Sequence, residues 1–264
     1  FNYSYSFYGL KDLEREIDRL ALQGVNMMLA PLGIEAVWAA ILPEFGLSGE
    51  EIGAFIPGPA YTAWWLMGNL EGWGGPMSRR MRAAKTVHQR GMLARMKELG
   101  IEPVVQGFNG LVPRCLAAHH PEADIVEQGS WCGFERPSVL VAGDPLFRKM
   151  AERYYAEMHR LYGDTFRFVG GDLFHEGGNT SGIDLKAAAT EVYSAMDSGI
   201  PGATWVLQGW GGNPDRRILD GIPEGRALVL DLFGENGGAW KETGEYGGTP
   251  WIWCSVNNFG GRST

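Results

Sequence analysis

Phe166-Arg167-Phe168-Val169-Gly170-Gly171-Asp172-Leu173-Phe174-His175-Glu176-Gly177-Gly178 decides the fold. The apolar run from Phe166 reads as a buried strand extending to Leu173, and the glycines after Glu176 end the pattern. A carboxylate just past the end of a strand, in a chain of alternating strands and helices, stands where α/β barrels keep their acid–base groups. Asp172, Phe174 and Glu176 would share one side of an extended chain. Leu173 and Phe174 beside Glu176 would help it hold a proton near neutral pH.

The same alternation runs outward from this stretch. Further strands are predicted over Phe1–Phe7, Val25–Ala30, Ile101–Phe108, Thr204–Gln208, Ala227–Phe233 and Trp251–Val256. Helices are predicted over Leu10–Gln23, where Leu13, Ile17, Leu20 and Ala21 fall on one face, and over Lys85–Leu99. Another follows Asp144-Pro145, an N-cap with a first-turn proline, and stops at Gly163. Asp184 caps a helix through Met196, and Asn213-Pro214 starts a short one. Between Pro31 and Gly75 lies a long irregular stretch rich in Trp, Gly and Pro, of the kind that is usually functional. A second elaborate loop carries Ser130-Trp131. Strand–helix repetition implies a parallel sheet with helices outside it. Aromatic and polar residues gather after the strands, and no glycine fingerprint for phosphate follows the first one. The expected fold is therefore α/β, a (β/α)8 TIM-type barrel, here a single domain over residues 1–264 that lacks its eighth strand.

Composition narrows the chemistry. The chain has 264 residues, 45% of them hydrophobic, and a net charge of -8. That balance argues against nucleic acid and offers no long-range attraction to a heavily sulfated polymer. The 10 tryptophans exceed what a core of this size needs, and indole faces suit sugar rings. Trp38, Trp205, Trp251 and Trp253 fall inside predicted helix or strand cores, where packing explains them. Cys115, Cys132 and Cys254 cannot form a closed disulfide set, and Cys254 reads as a small core residue. No apolar run is long enough to span a membrane. The 5 histidines provide no metal-ligand spacing, which weighs against a metal-dependent hydrolase; His88 and His159 read as solvated on polar helix faces. Glu235, after the sixth strand, is the best second carboxylate within the chain. Glu35, after the second, suits either a sugar hydroxyl or a structural ion pair. Asn2-Tyr3-Ser4 and Asn179-Thr180-Ser181 fit the short glycosylation pattern.

Ser4-Tyr5-Ser6-Phe7, Glu14-Arg15-Glu16-Ile17-Asp18, Gly58-Pro59-Ala60 and Met67-Gly68-Asn69-Leu70 carry a family resemblance. So do Gly129-Ser130-Trp131, Leu207-Gln208-Gly209-Trp210, Val229-Leu230-Asp231-Leu232-Phe233, Trp253-Cys254 and Asn258-Phe259-Gly260-Gly261. Taken in order, they resemble the alpha-N-acetylglucosaminidase family, glycoside hydrolase family 89. The resemblance implies a central barrel flanked by N- and C-terminal domains that are missing here. It implies a retaining exo-hydrolase that releases terminal α-linked N-acetylglucosamine from heparan-type or mucin-type glycans, without cofactor or metal. A secreted, periplasmic or lysosomal location goes with it. On this reading Glu176 is the general acid/base, and His175 stands where the family often has Asn. Tyr5, Trp64, Met67, Trp131, Trp210, Leu232, Asn258 and Phe259 fall on residues that line the family's sugar pocket. The family's nucleophile, a Glu on the last barrel strand, has no match within the chain, so Glu235 is left as a pocket-lining or second catalytic carboxylate. The rival expectation is an inactive fragment or a glycan-binding barrel.

Overall fold

The computed structural model describes residues 5–232, 234 and 237–254. In chain order the elements are α1 (Leu10–Leu22), β1 (Met27–Leu29), α2 (Ile34–Ile41), α3 (Gly49–Phe55), α4 (Thr62–Leu66) and α5 (Arg79–Glu98). Then come β2 (Glu102–Gln106), β3 (Leu111–Val112), α6 (Leu116–His119), β4 (Ile125–Val126), β5 (Ser130–Trp131), β6 (Phe134–Glu135) and β7 (Ser138–Leu140). The chain continues through α7 (Pro145–Tyr162), β8 (Phe168–Gly170), α8 (Leu185–Gly199), β9 (Thr204–Gly209), α9 (Arg216–Leu219), β10 (Ala227–Asp231) and β11 (Trp251–Trp253).

Six strands form one sheet in the order β1-β2-β8-β9-β10-β11, and every neighbouring pair is parallel. Their carboxyl ends therefore lie along one edge. The helices between them cover the outer face, with α2, α7 and α8 packed in sequence. Val105, Val169, Trp205, Leu207 and Val229 from the strands join Trp38, Phe108, Phe147 and Tyr154 in one continuous core. β1 and β11 are the two edges of this curled half-barrel, and an eighth barrel strand is not seen among the described residues. The alternating pattern places β1, β2 and β8 to β11 correctly.

Several local expectations are corrected. Residues 5–7 form a bend and turn rather than the end of a strand, and Phe7 is 74% exposed. This turn leads into α1, whose first turn is closed by the Asp12 carboxylate accepting from the Gly9 N–H. The stretch 31–75 is largely helical. Ile34, Val37, Trp38 and Ile41 recur at helical spacing and are buried on α2, while Ser48 and Glu51 build a capping box on α3. These helices are short and separated by glycines, which hides their period. α5 begins at Arg79, capped by Ser78, six residues before the apolar period suggests. Trp253 is 54% exposed on edge strand β11 and Trp251 stacks on Trp240, so neither is fully enclosed. Cys254 is only partly buried. His159 is not solvated: its ring nitrogens reach the carbonyls of Gly163 and Gly199, and it stacks on Phe166.

Asp144 and Asp184 do cap α7 and α8 with their carboxylates, each worth about 1 kcal/mol. Between β2 and α7 the chain makes an antiparallel excursion. β3, β7 and β4 form a three-stranded sheet, and β5 and β6 form a hairpin. Asn109 anchors the base of this excursion to the barrel by donating to the Asp172 carbonyl at 2.7 Å.

Candidate active site

The segment after β8 does not run on as an extended strand. Phe174 and Glu176 both adopt left-handed backbone, at φ 53° and 50°, and Gly177 follows at 84°. Only glycine adopts this conformation freely, so the two non-glycine residues cost of order 1 kcal/mol each. Gly178 is needed for closeness, since a Cβ there would lie 2.8 Å from the Gln128 side-chain oxygen and 3.0 Å from the Phe174 Cα. Asp172, Phe174 and Glu176 consequently do not share one face. Asp172 is buried and turns to β9, where its oxygens accept from the Gln208 N–H at 2.8 Å and the Gln208 amide at 2.7 Å. The Trp205 indole donates to the Gly171 carbonyl at 2.7 Å. The ends of β8 and β9 are thus locked together directly beneath the turn.

That turn presents Glu176 to two donors. Asn69 Nδ2 donates to Oε2 at 2.5 Å, and Trp210 Nε1 donates to Oε1 at 2.9 Å. Trp210 stands at the end of β9, and Asn69 follows α4. The carboxylate is therefore held by one side chain from the neighbouring strand and one from the helical stretch after β1. Beneath it, the buried Arg136 guanidinium donates to the carbonyls of His175 at 3.0 Å and Glu176 at 2.5 Å. Burial pushes the guanidinium's pKa down, and the Glu176 charge opposes that shift.

The remaining expected residues fall into groups. His175 is 3% exposed, and its Nδ1 and the Asn69 Oδ1 are buried without a hydrogen-bond partner among the described residues. Leu232 lies with Trp210, Gly211, Gly238 and Glu242 around a cavity of about 190 Å³. Trp64 and Met67 sit on α4 and its C-cap, immediately before Gly68 and Asn69. Trp131 is half-buried on the β5–β6 hairpin and packs near Phe134 at 6.5 Å between ring centroids. Tyr5 belongs to a separate apolar cluster of α1 and α5, stacks on Tyr8 at 4.7 Å, and lines a second cavity of about 140 Å³. Glu35 is wholly buried in the first turn of α2. Its Oε1 is 3.7 Å from Lys85 Nζ and accepts from Thr62 at 3.4 Å, so the ion-pair reading holds. Glu235, Asn258 and Phe259 lie outside the described residues.

Three polar residues around the mouth escaped the reading of single motifs. Asn69 was visible only as part of Met67-Gly68-Asn69-Leu70, and Arg136 carried no signal at all. Asp231 ends β10 fully buried, with Oδ1 accepting from Tyr246 Oη at 2.7 Å and the Ala239 N–H at 2.8 Å. It shapes the loop beside Leu232. Burial of the Tyr246 hydroxyl pushes its pKa up, and the hydrogen bond to Asp231 adds to that shift. Among the described residues no group of His, Cys, Asp and Glu could hold a metal, and no helix is long and apolar enough to cross a membrane.

A curled parallel sheet with a tethered carboxylate above the carboxyl ends of its strands defines the chain as an α/β barrel of the TIM type. Residues 1–264 match the family model for the alpha-N-acetylglucosaminidase (NAGLU) tim-barrel domain, and the chain belongs to that family. It is 36% identical over 276 residues to human alpha-N-acetylglucosaminidase, covering 99% of this chain and 37% of the human protein. The family 89 glycoside hydrolase from Clostridium perfringens, solved with 2-acetamido-1,2-dideoxynojirmycin, superposes with a TM-score of 0.93 at 40% identity. That match covers 99% of this chain and 30% of the bacterial one. The same enzyme with two glutamates replaced by glutamine, solved with its substrate GlcNAc-alpha-1,4-galactose, superposes equally well at 39% identity. The chain thus spans about a third of the length of the relatives it matches.

Proposed function

We propose that the protein to which this barrel belongs is a retaining exo-glycosidase that removes terminal α-linked N-acetylglucosamine, with Glu176 as its acid/base. The observation that carries this reading is the seating of Glu176. It is the carboxylate that a strained turn lifts above the strand ends and that two side chains, Asn69 and Trp210, hold in place. A glycosidic oxygen leaves readily only when it receives a proton as the bond breaks, and a positioned carboxyl group supplies it. The indole and the amide fix the direction in which Glu176 points. After the first step, the same carboxylate takes the proton from the incoming water.

The retaining outcome requires a second carboxylate roughly 5–5.5 Å from the first, to attack the anomeric carbon. The family likeness supports this. The bacterial relative captured with an uncleaved disaccharide carries two glutamine-for-glutamate replacements. We assign the nucleophile to a glutamate on the last barrel strand of the full protein, with Glu235 as a carboxylate that lines the site. Trp210, Leu232, Trp131, Trp64 and Met67 supply the apolar walls that a sugar ring needs. The glycan is of the heparan or mucin type, and the net charge of -8 on this barrel offers no long-range attraction to a heavily sulfated polymer.

The test is hydrolysis of an aryl α-N-acetylglucosaminide by the full-length protein, followed by proton NMR from the first turnover. Release of the α-anomer of N-acetylglucosamine before mutarotation is the expected result. First appearance of the β-anomer would rule out retention, and no release from any α-linked substrate would rule out the activity.

A further inference from the structure

We infer that Arg136 is the positioning residue for Glu176, clamping the turn that carries the carboxylate to the backbone that carries Asn69. The inference rests on Glu176 being the acid/base. Arg136 is 4% exposed, and the partners of its guanidinium are main-chain carbonyls. Nη1 donates to His175 O at 3.0 Å and reaches Gly68 O at 3.5 Å, and Nη2 donates to Glu176 O at 2.5 Å. Gly68 immediately precedes Asn69, whose amide grips the Glu176 carboxylate. One rigid fork therefore indexes the backbone on both sides of the Asn69–Glu176 hydrogen bond.

The turn needs such a clamp. Phe174 and Glu176 hold left-handed backbone without being glycine, and conformations of this kind persist only where surrounding contacts over-determine them. The carbonyls of His175 and Glu176 point inward, where an unpaired acceptor would be costly. A guanidinium can serve three carbonyls in one plane because its donors are arranged as a fork. An ammonium is a point donor and cannot hold the same geometry. Arg136 touches neither carboxylate oxygen of Glu176, so its effect passes through placement of the backbone.

The experiment uses the full-length protein with Arg136→Lys and Arg136→Gln, each alone and combined with Glu176→Gln. Two aryl α-N-acetylglucosaminides are compared, one with a poor leaving group and one with an acidic, activated one. Misplacement of a proton donor by an ångström costs about 100-fold. Both variants should therefore lose roughly that factor in kcat on the poor leaving group, with KM little changed. The activated substrate should slow by only a few-fold, and soluble guanidinium should restore part of the loss in Arg136→Gln. In the Glu176→Gln background neither change should slow the poor substrate further. Equal loss on both substrates, or no loss on either, would overturn the clamp if Glu176→Gln itself discriminates between them. If Glu176→Gln does not discriminate, the acid/base reading falls and the clamp with it. Failure of both Arg136 variants to accumulate as folded protein would make the residue a stability element and would also overturn the proposal.

Discussion

Asn69 and Glu176 lie 107 residues apart in sequence and share a 2.5 Å hydrogen bond. The bond joins the helical stretch after β1 to the turn after β8, across the mouth of the sheet. With Trp210 on the other carboxylate oxygen, Glu176 has a defined direction before any substrate arrives.

Glu176→Gln in the full-length protein should lower kcat on a poor leaving group by about 10² to 10⁴-fold. An activated leaving group needs little protonation, so its kcat/KM should suffer much less, while its turnover becomes limited by the second step. Azide should partly restore turnover, because it attacks the glycosyl-enzyme without a general base. Steady-state rates on the two substrates, with and without azide, check all three expectations. Equal loss of kcat/KM on both substrates would remove Glu176 from acid catalysis.

Trp210→Phe keeps an aromatic wall and deletes the indole donor to Oε1. A hydrogen bond to a charged group is worth about 1.5–3 kcal/mol, so kcat on the poor leaving group should fall by at least about tenfold. KM should move little. A rise in KM with kcat unchanged would show that the ring contributes stacking alone.

Glu35 and Lys85 form an ion pair in which both side chains are almost wholly enclosed. Lys85→Met leaves a lone buried carboxylate and should cost about 3–5 kcal/mol of stability. Glu35→Leu with Lys85→Met should recover most of that loss, since neither charge is then stranded. Chemical denaturation of the single and double variants measures the difference. Equal destabilisation in both would place the cost in packing.

Burial pushes the Glu71 carboxyl up to about 7 from an ordinary value of 4.5, against the lowering effect of the Arg114 N–H. Between those two values the folded protein binds a proton that the unfolded chain has released. Stability should therefore fall as pH rises through that window. Glu71→Gln should flatten this dependence. Denaturation midpoints at pH 5 and pH 7.5 provide the check, and an unchanged slope in the variant would contradict the assignment.

The barrel was legible because period-2 and helical patterns alternate around buried strands such as β9, and because Asp144-Pro145 and Asp184 mark helix starts by local chemistry. Glu176 was legible for the same reason, as a polar residue just past an apolar run. The short helices between residues 31 and 75 were not. Each is too brief to show a period, and Gly33 and Gly46 read as loop residues until their left-handed caps are seen. Asn69 and Arg136 were hidden for a different reason. Their partners are set by long-range closure of the sheet, and neither an amide nor a guanidinium aimed at carbonyls leaves a local pattern. The left-handed backbone at Phe174 and Glu176 was also invisible, because neither position is itself a glycine.

The excursion between β2 and α7 has a fixed base and, at its tip, a hairpin that rests on the stretch before α5, with Phe134 against Trp73. Asn109 and Arg136 hold its two ends to the β8 turn, while Trp131 and Phe134 sit on the hairpin beyond them. Lineages that diverge in the glycan they trim can therefore lengthen, shorten or recolour the hairpin without disturbing proton transfer, provided the two anchors survive. Variation among descendants of this barrel should concentrate at the tip, with Asn109 and Arg136 as the boundary posts of what selection is free to rewrite.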